Sequence, residues 1–147
     1  MRPIPELERA IGSVSGYSDA GSAAGELMRI AEEVLEHWVV AREEVPTQQT
    51  REGFRLLALH RQGTKGDPSF NACRETCREI VYHLNLISSD AAHEKTGQRL
   101  EMMRMVCNHL FLFVSGKLEV AGLGDFCCSS RPLRQAADLE IEAQKGA

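Results

Sequence analysis

Two long apolar seams separated by a short polar break constrain this chain more than any other feature. In the first, Phe70, Cys73, Cys77, Ile80, Leu84 and Ile87 recur at intervals of 3, 4, 3, 4 and 3. In the second, Leu100, Met103, Cys107, Leu110 and Val114 recur at 3, 4, 3 and 4. Side chains at that spacing share one face of an α-helix, whereas a half-buried strand needs strict alternation. The break Ser88-Ser89-Asp90 predicts a turn that folds one helix back on the other.

Earlier segments repeat the pattern. Residues 22–44 place Leu27, Ile30, Ala31, Val34, Leu35, Trp38 and Ala41 on one helical face, with Arg29, Glu32, Glu33 and Glu36 opposite. Residues 47–62 predict a shorter helix with Thr47 as N-cap and Gly63 as its stop, although the interior Gly53 weakens its first half. Asp67 followed by Pro68 marks the start of the helix reaching Ile87, because proline lacks an N–H that would be unpaired in the first turn anyway. The last helix is expected over 91–115, with Gly116 ending it.

The fold class expected is therefore all-α: an antiparallel four-helix bundle with an extended N-terminal lead and a C-terminal tail. The lead, 1–21, holds Pro3, Pro5, Gly12, Gly16 and Gly21 and is read as loosely ordered or as one short helix around PELERAIG. Residues 22–126 form a single helical-bundle domain, and 127–147 a tail that is helical in part at most. No run of apolar residues approaches the roughly 18 needed to span a bilayer, and no signal peptide opens the chain. A cytoplasmic location with no membrane partner is expected.

A formal charge of -4, from 17 basic and 21 acidic residues, gives no broad attraction for phosphate backbones, so nucleic acid is not an expected partner. Five cysteines in an intracellular chain point to reduced thiols.

The sulfur-bearing residues carry the sharpest chemical reading. If the two seams meet in the register that pairs Phe70 with Leu110, Cys73 with Cys107, Cys77 with Met103 and Ile80 with Leu100, then Cys73, Cys77, Met103 and Cys107 share one interior layer. Thiolates and thioethers select Cu(I) or Zn(II), which makes these four the candidate ligands of a soft-metal or thiol-based sensor. The same residues also suit a core as small or flexible hydrophobes. Cys127 and Cys128 lie beside Arg131 and Arg134, whose charge lowers a thiol pKa.

Three stretches, Arg55 to His60, Arg78 to His83 and Arg104 to His109, share the spacing R-x4-H. The residues after the arginines are Leu56, Glu79 and Met105. This spacing resembles the short motif of HEPN-type ribonucleases, helical bundles whose arginine and histidine act on an RNA phosphodiester at a dimer interface. The resemblance implies such a role for Arg104 with His109 before the other pairs. No HExxH and no Glu-x-x-His pair occurs, so no zinc protease or di-iron site is indicated.

A second apolar file on the last helix, Met102, Val106 and Phe113, joined by Phe111 and Leu112, suggests a helix central to the bundle or lying in a homodimer interface. The function expected is a non-enzymatic module that binds a partner protein or small ligand. Its cofactors are not indicated by any motif.

Overall fold

A computed structural model of the chain describes residues 1–122. The expected tail, 127–147, with Cys127 and Cys128, lies outside the described residues. The described chain is all-α: α1 (Ile4–Ser13), α2 (Ala20–Ala41), α3 (Arg55–Thr64), α4 (Arg74–Ser89) and α5 (Thr96–Val120), with a 3₁₀ segment over Pro68–Cys73 leading into α4. Among the described residues no helix is long and apolar enough to cross a membrane.

Of the two forms expected for the lead, a loosely ordered segment or a short helix around PELERAIG, the structure has the helix, and it is packed on the core. Ile4, Leu7, Ile11 and Val14 recur at 3, 4 and 3, and all four are buried in the common core. Its start is fastened by Arg2, whose backbone N–H donates to Glu33 Oε1 at 2.8 Å and whose Nε donates to Glu33 Oε2 at 3.0 Å. His37 Nε2 bonds the Arg2 carbonyl at 2.6 Å. Prolines and glycines in a lead argue for disorder only when nothing long-range holds it, and here a partly buried carboxylate does.

Contacts along the helices fix their directions. Arg2 meets Glu33 while Tyr17, beyond the end of α1, donates to Glu26 at 3.2 Å, so α1 runs against α2. Cys107 lies by Leu27, and Lys117 lies 5.2 Å from the Trp38 ring, so α2 and α5 run the same way. Lys117 Nζ reaches Asp67 Oδ2 at 3.0 Å and Phe113 meets Phe70 at 5.7 Å between ring centroids, so α4 runs against α5. The helices that alternate in direction are thus α1, α2, α4 and α5, with α3 as a short piece packed on α2 and on the 3₁₀ segment.

Those two contacts also set the α4–α5 register one helical turn away from the expected one: Phe70 faces Phe113 rather than Leu110, and Cys77, not Cys73, comes up to Cys107. The cause is the connection. It occupies 90–95 rather than three residues, and α5 starts at Thr96 and runs on through Gly116 to Val120 because Leu118 still has core to fill.

The helix expected over 47–62 begins only at Arg55. Before it, Arg51 and Phe54 exchange two backbone hydrogen bonds of 3.0 Å across a tight turn in which Glu52 and Gly53 both take positive φ, 55° and 86°. Glycine adopts that conformation without steric cost, which is why Gly53 sits in a turn and not in a helix. Thr47 caps no helix; its hydroxyl accepts from the Gln49 N–H at 3.1 Å. Gly63 is not a stop either, since α3 continues to Thr64. A Cβ there would lie 2.8 Å from a Phe70 ring carbon and 3.0 Å from Trp38, so the residue is small to let two rings approach the backbone.

Candidate functional site

Two features converge where α3 packs on the 3₁₀ segment and the first turn of α4. One is a buried cluster of sulfur and imidazole. The other is a basic cleft above it.

Cys73 closes the 3₁₀ segment and caps α4, so its thiol lies one helical turn from Cys77. Its Sγ donates to the Phe70 carbonyl at 3.2 Å. His60 Nε2 approaches the same carbonyl at 3.4 Å, and its ring lies over Phe70 with centroids 5.8 Å apart. Cys73 is 2 % exposed and His60 7 % exposed.

The environment splits the thiols. Hydrogen bonding from Cys77 brings the Cys73 pKa down from 9.0 to about 6, against the opposing effect of burial and with further help from the hydrogen bond and charge of His60. The Cys77 thiol is driven up, first because it donates to the Cys73 sulfur and then because it is buried. Burial alone raises Cys107, whose Sγ points to the Leu27 carbonyl at 3.6 Å. Cys73 is thus the most readily ionised sulfur of the group.

Of the four residues proposed as soft-metal ligands, Cys73, Cys77 and Cys107 come together inside the protein, and Met103 is buried one helical turn before Cys107 on α5. Among the described residues, no three His, Cys, Asp or Glu side chains are arranged to hold a metal ion. His60 was not singled out with the cysteines. Its signal was present nonetheless: Leu56, Leu59, His60 and Gly63 follow the i, i+3, i+4, i+7 pattern of a buried face.

The cleft has a volume of about 360 Å³ and is lined by Arg51, Arg61, Lys65, Arg74 and Arg78, with Leu57, His60, Thr64 and Asn71, and no carboxylate. A second hollow of about 460 Å³ shares Arg51, Arg61 and Lys65 and extends it toward Thr47 and Gln49. Arg78 bonds Glu52 at 2.9 and 3.1 Å, and Arg74 bonds Glu75 at 2.7 Å. Arg61 and Lys65, both exposed, make no ion pair among the described residues. A net acidic chain therefore carries one concave face of positive charge.

The R-x4-H pairs are placed differently from one another. Arg55 is taken up by Glu32, Glu36 and the Thr47 carbonyl, at 3.3, 2.8 and 2.8 Å, on the far side of α3 from the buried His60. His83 Nδ1 bonds the Glu79 carbonyl at 2.8 Å. Arg104 is bound to Glu101, and His109 is exposed on α5. Five residues turn a helix through roughly 140° beyond a full revolution, so the members of a pair sit on different faces.

Compared with known protein families, with curated proteins and with solved structures, the chain matches none.

Proposed function

We propose that this chain is a non-enzymatic binding module whose ligand is a small phosphate-bearing molecule held in the basic cleft. The observation that carries the reading is the convergence of Arg51, Arg61, Lys65, Arg74 and Arg78 on one cavity of about 360 Å³ without a lining carboxylate. Guanidinium forks match phosphate oxygens in bidentate fashion, and a lysine adds a mobile point charge. A cavity of that volume falls within the range of small-molecule sites. Arg61 and Lys65 have charge to spare, whereas Arg78 is shared with Glu52.

The test is calorimetric titration with inorganic phosphate, pyrophosphate and ATP at low salt, in the wild type and in an Arg61→Ala, Lys65→Ala double variant. Binding that weakens at least ~10-fold in the variant supports the reading. Equal affinity in both proteins, or tighter binding of a short single-stranded RNA than of any small phosphate, removes it.

Two companion readings concern setting. A homodimer through α5 rests on Met102, Met105 and Leu112, which are exposed along one side of that helix, while Val106 and Phe111 are buried in the core. Sedimentation at two concentrations checks it. A cytoplasmic location accords with the free thiols of Cys73, Cys77 and Cys107.

A further inference from the structure

We infer that the ligand of the basic cleft is a nucleoside di- or triphosphate, with its phosphates on the cations of the cleft and its base in an adjoining hollow against Tyr82. This rests on the reading of the cleft as a phosphate site and goes beyond it by placing the uncharged part of the ligand.

The adjoining hollow has a volume of about 390 Å³ and is lined by Phe54, Tyr82 and Asn85, while Leu57 and Arg78 line both it and the cleft. The two cavities are therefore contiguous. Two elements run from one into the other. On α4, Arg74, Arg78, Tyr82 and Asn85 recur at intervals of 4, 4 and 3, so one face of the helix passes from cation to aromatic ring to amide over roughly 16 Å. In the tight turn before α3, Arg51 lines the cleft, and Glu52 and Phe54 line the hollow.

That sequence of groups matches the order of parts in a nucleotide. The phosphates belong with Arg61, Lys65 and Arg74, where no carboxylate opposes them. Glu52, bonded to Arg78 at 2.9 and 3.1 Å, stands at the junction, where a carboxylate repels phosphate but accepts hydrogen bonds from ribose hydroxyls. Beyond it the Tyr82 ring is 59 % exposed. It meets the His83 ring edge to face, centroids 5.3 Å apart and planes 88° from parallel, a contact that covers at most one face of the phenol. An exposed aromatic face is a stacking platform for a base, and the exposed Asn85 amide offers the base edge one acceptor and two donors. An inorganic polyphosphate has nothing to place in this hollow.

The test compares ATP with tripolyphosphate by calorimetry at low salt and without divalent metal, in the full-length wild type and in Tyr82→Ala, Tyr82→Phe and Glu52→Gln. In the wild type ATP should bind at least ~10-fold tighter than tripolyphosphate, although it carries less charge. Tyr82→Ala should remove that preference and leave tripolyphosphate affinity unchanged, which also shows that the variant is folded, and Tyr82→Phe should keep the preference. Glu52→Gln should bind tripolyphosphate more tightly, because Arg78 is released, and ATP no more tightly than before. Equal wild-type affinity for the two ligands, or an ATP affinity that Tyr82→Ala does not change, overturns the inference and leaves the cleft as a phosphate site. Binding of neither ligand, or tighter binding of a short single-stranded RNA than of ATP, removes both readings.

Discussion

Trp38 lies flat against Phe70, ring centroids 5.0 Å apart and planes 6° from parallel, and this stack ties the end of α2 to the segment that carries Cys73. Trp38 Nε1 donates to the Gly63 carbonyl at 3.0 Å, and Lys117 and Arg42 hold their charges 5.2 and 5.4 Å from its ring centre. Four elements thus meet at one indole.

Gly63→Ala should be destabilising by about 1–3 kcal/mol, because the new methyl would press on Phe70 and Trp38 in a filled core. Gly116→Ala is the control. Nothing lies within 4 Å of a Cβ there, and alanine is favoured over glycine in a helix by up to ~1 kcal/mol. Urea unfolding of both variants reads the contrast; two losses of equal size would show that the Gly63 approach is not what limits the site.

Arg2→Ala should cost about 1–2 kcal/mol, since it removes charge-assisted bonds to Glu33 and Glu26 that are only partly screened by solvent. The loss should appear locally as well. Hydrogen exchange at the amides of α1 is expected to accelerate more than exchange in α4, and uniform acceleration would contradict the anchoring role.

Anion binding in the cleft should fall steeply as salt rises from low to physiological concentration, because the exposed Arg61 and Lys65 supply it through solvent. The Arg61→Ala, Lys65→Ala variant should keep its unfolding free energy to within about 0.5 kcal/mol, as surface changes do. A large loss of stability would mean these side chains have a structural role instead.

The cysteines predict a stability maximum in pH. Cys73 has a folded pKa of about 6 against 9.0 when free, so the unfolded chain binds more of its protons in that window. Its contribution is present above pH 9.0 and is lost as pH falls through about 6. Cys77 and Cys107 are shifted the opposite way, so their contributions are present below 9.0 and decline as pH rises above it. Unfolding free energies from pH 6 to 10 should therefore rise and then turn over, and Cys73→Ser should flatten the rising limb and soften the part of the falling limb that Cys77 owes to the Cys73 sulfur. A rate of iodoacetamide labelling at Cys73 that climbs with a midpoint near 9.0 would contradict the assignment.

How much of this could be read beforehand differs between the fold and the site. Helical periodicity identified α2, α4 and α5 and put Cys73, Cys77 and Cys107 indoors, because burial on a helix follows from which residues share a face. Gly53 warned that the first half of the third helix was weak, and the positive φ it takes is the reason. The α4–α5 register was not legible. A seam with one repeating interval fits its partner equally well when slid by a turn, and only the Asp67–Lys117 and Phe70–Phe113 contacts choose between the positions.

By itself, then, the chain's sequence determined that it is helical, which faces are dry and that sulfur lies within them, since these depend on neighbours three and four residues away. Tertiary structure decided that the lead packs into the core, that His60 rather than Cys107 is the group beside Cys73, and that five scattered cations share a cleft. Those relations join residues on separate helices, and their energies exist only once the helices have met.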